Sequence, residues 1–107
     1  MDTQHYLGYA WEQLYGAVSS LACSDWPLRE RLLDAVASRA HRVFPSMSVA
    51  ELPTEIDERL RILESALTKH GTFEKSIEEM DDSQVKWAIE EIVSLFSMVT
   101  QADGKYN

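Results

Sequence analysis

Two pairs of adjacent glutamates, Glu78-Glu79 and Glu90-Glu91, together with His5, His41, His70 and Cys23, are the side chains whose types suit metal or proton chemistry. Helical bundles that hold paired metal ions use inward glutamates and a Glu-x-x-His step, which sets carboxylate and imidazole on one helix face. No histidine of this chain stands three residues after a glutamate. Glu90 and Glu91 also fall outside the apolar arc of their own helix, so these acids read as a solvated face. No metal and no other cofactor is implied. His70 precedes Gly71 and suits the negative end of a helix dipole. Cys23 has no base beside it in sequence and reads as a small buried or half-buried residue closing the first helix. No glycine-rich phosphate loop, G-x-S-x-G elbow, H-E-x-x-H or C-x-x-C occurs. The reading is of a protein that is not an enzyme.

What remains is surface chemistry, and it is uneven along the chain. Residues 1–50 hold five acids against four arginines, whereas residues 51–107 hold thirteen acids against six bases, so the second half carries nearly all of the net charge of -8. The extreme is 74–91, where Glu74, Glu78, Glu79, Asp81, Asp82, Glu90 and Glu91 face only Lys75 and Lys86. Such a segment repels phosphate backbones and anionic lipid surfaces, which argues against direct nucleic-acid or membrane binding. It suits a basic partner protein. Glu74, Glu78, Glu79 and Glu91 are therefore candidate contacts, acting by long-range attraction. Trp87 and Met98 join them, because they lie together on the helical wheel roughly 120 degrees or more from the centre of the apolar arc. Either they are covered by the short helix at Phe73 or by the 45–53 loop, or they are an interface aromatic and its neighbour. Arg39 is the last candidate. It projects from the apolar side of its helix, so it reaches solvent along its stem, meets a carboxylate, or touches a partner.

The elements that carry these residues are helices. Residues 83–102, SQVKWAIEEIVSLFSMVTQA, put Val85, Ala88, Ile89, Ile92, Val93, Leu95, Phe96, Val99 and Ala102 on one broad arc, which makes this the central helix. Asp81, Asp82 and Ser83 supply its N-terminal cap. Residues 3–22 repeat apolar positions at three and four, with Gly8 and Gly16 as weak points where another helix can come close. Ser24-Asp25-Trp26-Pro27 punctuates the chain, and a helix follows to about Phe44, where Pro45 ends it. Residues 45–53 form the longest irregular connection. A narrow-striped helix then runs from Thr54 to His70 with Gly71 as a left-handed cap, and the pairs Glu55-Arg59 and Asp57-Arg61 mark it as an outer helix. Thr72 to Met80 reads as a short connecting helix with Phe73, Ile77 and Met80 inward. The tail from Asp103 frays. The expected fold is all-α, an antiparallel bundle of four helices plus that short one.

Composition bounds the function. At 107 residues with 45% hydrophobic content, the chain makes one domain that buries about two thirds of its unfolded surface. A single cysteine allows no internal disulfide, and no run of about 18 apolar residues or basic leader occurs, which places the chain in the cytoplasm. The function expected is an acidic interaction module, in its sharpest form an inhibitor or immunity-type protein that covers a basic surface. A homodimeric structural bundle is the alternative, and a small-molecule or metal-binding bundle is the rival from another class.

Overall fold

The computed structural model describes residues 3–44 and 52–103, and these are all-α. Five helices follow one another: α1 (Thr3–Cys23), α2 (Leu28–Ser38), α3 (Thr54–Leu67), α4 (Phe73–Glu78) and α5 (Asp82–Asp103), with one 3-10 turn, Ala40–Arg42, after α2. The irregular connection expected over 45–53 lies outside the described residues for all but Leu52 and Pro53, as does the tail after Asp103.

Each long helix buries a stripe at the helical repeat. Leu7, Ala10, Leu14, Ala17 and Leu21 of α1 meet Val85, Ala88, Ile92, Leu95 and Val99 of α5. Ile56, Leu60, Leu63 and Leu67 of α3 and Leu32, Ala35 and Val36 of α2 close the same core. The alanines matter here, because side chains this short let helix axes come close. Trp11 reaches Thr100 and Tyr15 packs on Phe96, so α1 and α5 run antiparallel. Arg39 lies over Gly16 while Cys23 and Leu28 are joined by a short turn, which makes α1 and α2 a second antiparallel pair. Arg59 of α3 contacts Glu91 and Met98 of α5, and Ala66 shares a cleft with Trp87, so α3 and α5 are antiparallel too. The result is an up-down-up-down bundle with α4 bridging α3 to α5.

Local chemistry moves several boundaries. The helix expected to reach Phe44 stops at Ser38, where Arg39 leaves helical geometry (φ -137, ψ -57). The chain tightens into the 3-10 turn, with Val43 N–H donating to Ala40 O and Phe44 N–H to His41 O. Phe44 precedes Pro45, and a residue in that place disfavours α geometry. His41 is half-buried rather than on an outer polar face, and its Nδ1–H donates to the Val36 carbonyl at 2.9 Å, capping the end of α2. The helix expected to run to His70 ends at Leu67. Thr68 N–H and Oγ1–H both donate to Glu64 O, which completes the last turn and stops it. Gly71 does take a positive φ, +96, but beyond the turn Thr68–His70. The His70 ring is exposed, and its backbone N–H donates to Ser76 Oγ. The start of α5 is as expected: Asp81 Oδ1 accepts from Gln84 N–H at 2.8 Å and from Ser83 Oγ at 2.9 Å. Gln84 Oε1 accepts in return from Asp81 N–H. This is a reciprocal capping box.

The apolar arc of α5 is narrower than its wheel, since Val93 is 45% exposed and Ala102 is exposed. Cys23, expected to be at least half-buried, is also exposed.

Candidate functional site

The structure does not gather the sequence-predicted candidates on one surface. Glu91 sits on the α3 side of α5 with its side chain only 15% exposed, and Arg59 grips it through two bonds, Nη2–Oε2 at 2.6 Å and Nε–Oε1 at 3.2 Å. The carboxylate hydrogen bond holds the Arg59 guanidinium above its ordinary pKa, against a smaller opposing effect of burial. The expected Glu55-Arg59 pair is thereby replaced by one that crosses between helices, because a bidentate fork on a sheltered acid outcompetes a solvated neighbour. The Arg59 fork also donates to the Met98 sulfur at 3.3 Å. Met98 and Trp87 are half-buried and pack against the core. Trp87 is covered from α3 and α4, in a cleft of about 200 Å³ that it shares with Ala66, Ser76, Glu79 and Met80.

Arg39 is exposed. Its stem lies across Gly16, where an added Cβ would come within 2.9 Å of Nε. The arginine that looked misplaced and the glycine that looked weak thus explain each other, whereas Gly8 has open space about it. At the end of α4, Glu78 is exposed and Glu79, the residue after it, is loosely paired with Lys75 at 4.0 Å, both partners of that pair well solvated.

Glu74 has a different setting. It stands at the rim of an open groove between α2 and α4, about 560 Å³ in volume, whose other lining residues, among those described, are Trp26, Glu30, Leu33, Asp34 and Ala37. Leu33 and Ala37 are one turn apart and form an apolar floor, and Glu30 and Asp34, also one turn apart, run beside them. Trp26 closes one end at 52% exposure. Its backbone is pinned on both sides: its N–H donates to Ser24 Oγ at 3.1 Å, and its carbonyl accepts from Arg31 Nε. The α4 wall is fixed at both ends as well. Phe73 stacks obliquely on His41 and Phe44 at its start, and Thr72 Oγ1 accepts from Lys75 N–H. At its end, Arg29 of α2 donates to Ile77 O and Met80 O at 2.5 and 2.7 Å and reaches Asp82 at 3.4 Å.

Among the described residues, none of Glu30, Asp34 and Glu74 forms an ion pair. Asp34 only accepts from Ser38 Oγ at 3.3 Å. Three carboxylates therefore line an apolar floor with no cation of the described residues at ion-pair distance from them.

No family model, curated protein or solved structure matches this chain.

The groove thus sets negative charge beside apolar surface. Among the described residues, no three His, Cys, Asp or Glu side chains gather closely enough to hold a metal ion. One buried polar atom, Gln13 Oε1, has no partner among the described residues, and Gln13 does not line the groove. Trp26, Glu30 and Asp34 were not singled out from sequence. A signal existed in Glu30 and Asp34, like charges at i and i+4, an arrangement that weakens a helix unless something outside it compensates.

Proposed function

We propose that this chain is an acidic cytosolic interaction module without catalytic activity, which binds a basic surface of a partner protein and so occupies it in the manner of an inhibitor or immunity-type protein. The observation that carries this reading is the carboxylate set at the α2–α4 groove, which forms no ion pair among the described residues, on a chain of net charge -8. Such a field raises association rates with a basic partner and repels acidic competitors. Glu78, exposed on the same short helix, adds to the field. Among the described residues no helix is long and apolar enough to cross a membrane.

The test is kinetic. With a captured partner immobilised, association of the wild-type chain slows steeply as salt rises while dissociation changes less, and E74Q/E78Q/E79Q slows association further. An association rate indifferent to both salt and substitution refutes the electrostatic reading.

A homodimer is the second reading, favoured by one specific surface. Tyr15, 53% exposed, stacks flat on Trp11 at 5.2 Å and tilts against Phe96, with exposed Val93 on the same seam of α1 and α5. Aromatic surface of this kind is enriched at interfaces. Sedimentation of the wild type and of Y15S separates the two, since only the dimer reading predicts a change in mass.

A further inference from the structure

The geometry points to the side chain that the α2–α4 groove receives: an arginine of the partner protein, its methylene stem on Leu33 and Ala37 and its guanidinium between the Trp26 indole and the carboxylates of Glu30, Asp34 and Glu74. This rests on the interaction-module reading above and narrows it to one recognition element. Three features of the groove select arginine over other cations. The floor is apolar, so the occupant brings aliphatic carbon to cover it, which excludes an inorganic cation. Carboxylates stand on both walls, Glu30 and Asp34 on α2 and Glu74 on α4, and the five N–H donors of a planar guanidinium serve two sides at once, whereas an ammonium acts as a compact point charge. The exposed tryptophan is held by its backbone rather than by burial of its ring, and a weakly hydrated guanidinium stacks on such a ring better than a strongly hydrated ammonium does. The groove is also ready-made. Arg29, Phe73 and the Thr72 cap hold α4 in place, so no wall has to be ordered on binding.

The probes are three capped tripeptides, acetyl-Ala-Arg-Ala-amide and its lysine and citrulline counterparts, titrated into the full chain while indole N–H resonances are followed by NMR. The chain supplies its own controls: Trp11 donates to Thr100 inside the α1–α5 seam and Trp87 is half-buried, so only the Trp26 signal is expected to move in a saturable way. Citrulline keeps the shape of arginine without its charge, and its tripeptide is expected to bind at least about tenfold more weakly, the loss of several exposed ion pairs. The lysine tripeptide is expected to bind about threefold more weakly than the arginine one, from the poorer stacking and fork geometry. E30Q/D34N/E74Q is expected to abolish the difference between arginine and citrulline, and W26L, which lacks the reporting indole and is followed through the backbone amide resonances of residues 30–37, to abolish that between arginine and lysine. Trp26, Glu30 and Glu74 are exposed and Asp34 is half-buried, none of the four belongs to the buried core, and the amide of D34N can still accept from Ser38 Oγ.

Equal binding of the arginine and citrulline peptides, or a Trp26 signal that does not move, overturns the inference. Lysine binding as tightly as arginine overturns the stacking and the choice of arginine. The parent reading is judged separately. A silent groove with partner association still sensitive to salt and to E74Q/E78Q/E79Q removes the arginine pocket alone. An arginine-specific groove with salt-indifferent partner association removes the electrostatic capture instead.

Discussion

The Arg59–Glu91 bridge can be taken apart quantitatively. In a double-mutant cycle of R59M, E91Q and the combined variant, unfolded by urea, the coupling energy isolates the pair from what each residue does alone. Exposed ion pairs give about 0.2 to 1 kcal/mol, and breaking a buried pair costs about 3 to 5 kcal/mol. This bridge lies between those limits. Its two bonds of 2.6 and 3.2 Å share one carboxylate that is 15% exposed, but the guanidinium is 38% exposed and stays partly hydrated. A coupling of about 1 to 1.5 kcal/mol follows, after discounting the strength of a bidentate charge-assisted contact for that hydration. E91Q alone is expected to lower the melting temperature by roughly 4 to 6 °C for a domain of this size. E91Q is also expected to leave partner association unchanged, since the Glu91 charge is already matched from within. A coupling below about 0.3 kcal/mol would show that the bridge is only a solvated contact. A slower association for E91Q would return Glu91 to the partner-facing set.

Three further outcomes follow from single features. Asp81 is held below the ordinary carboxylate range, first by the Gln84 N–H and then by the Ser83 hydroxyl. Its contribution to stability is therefore complete above the unfolded-state carboxylate pKa and is lost as pH falls through its lower folded value. Denaturation midpoints across acid pH are expected to fall less steeply for D81N than for the wild type, and parallel curves would refute the cap's ionic part. G8A is expected to stabilise by up to about 1 kcal/mol, while G16A gains less because Arg39 must move aside; in an R39A background the two gains converge. An equal gain with Arg39 present would show that the close approach costs nothing. G71A is expected to cost about 1 kcal/mol or more by thermal melting, from local backbone strain rather than a clash with the rest of the fold, since φ is +96 and the space about the missing Cβ is open.

The sequence made the helices legible because their apolar repeats are long and regular: every buried position of α1, α3 and α5 named above recurs at three or four. The ends were less legible, for reasons that can be named. The C-terminal ends at Ser38 and Leu67 are set by His41 Nδ1–H donating to Val36 O and by Thr68 N–H and Oγ1–H donating to Glu64 O, and these depend on which backbone groups a turn leaves free. Charge patterning pointed to Glu74 but tied it to its neighbours in sequence. Its partners in space, Glu30 and Asp34, are some forty residues away, and nothing in a one-dimensional reading pairs α4 with α2. Glu91, read as part of a solvated face, is sheltered for the same reason, since the arginine that pairs with it belongs to another helix.

Arg29 has a consequence for how the molecule moves. A helix of six residues is far too short to persist alone, and the end of α4 is held to α2 by this guanidinium together with the burial of Ile77 and Met80. Amide protons of α4 then exchange with solvent through a local opening that detaches one wall of the groove while the α1–α5 core stays closed. Arg29, a side chain that does not line the groove, is expected to slow that opening. A bound occupant bridging α2 and α4 would slow α4 exchange selectively, so isotope uptake there would register occupancy even where affinity is too weak to isolate a complex.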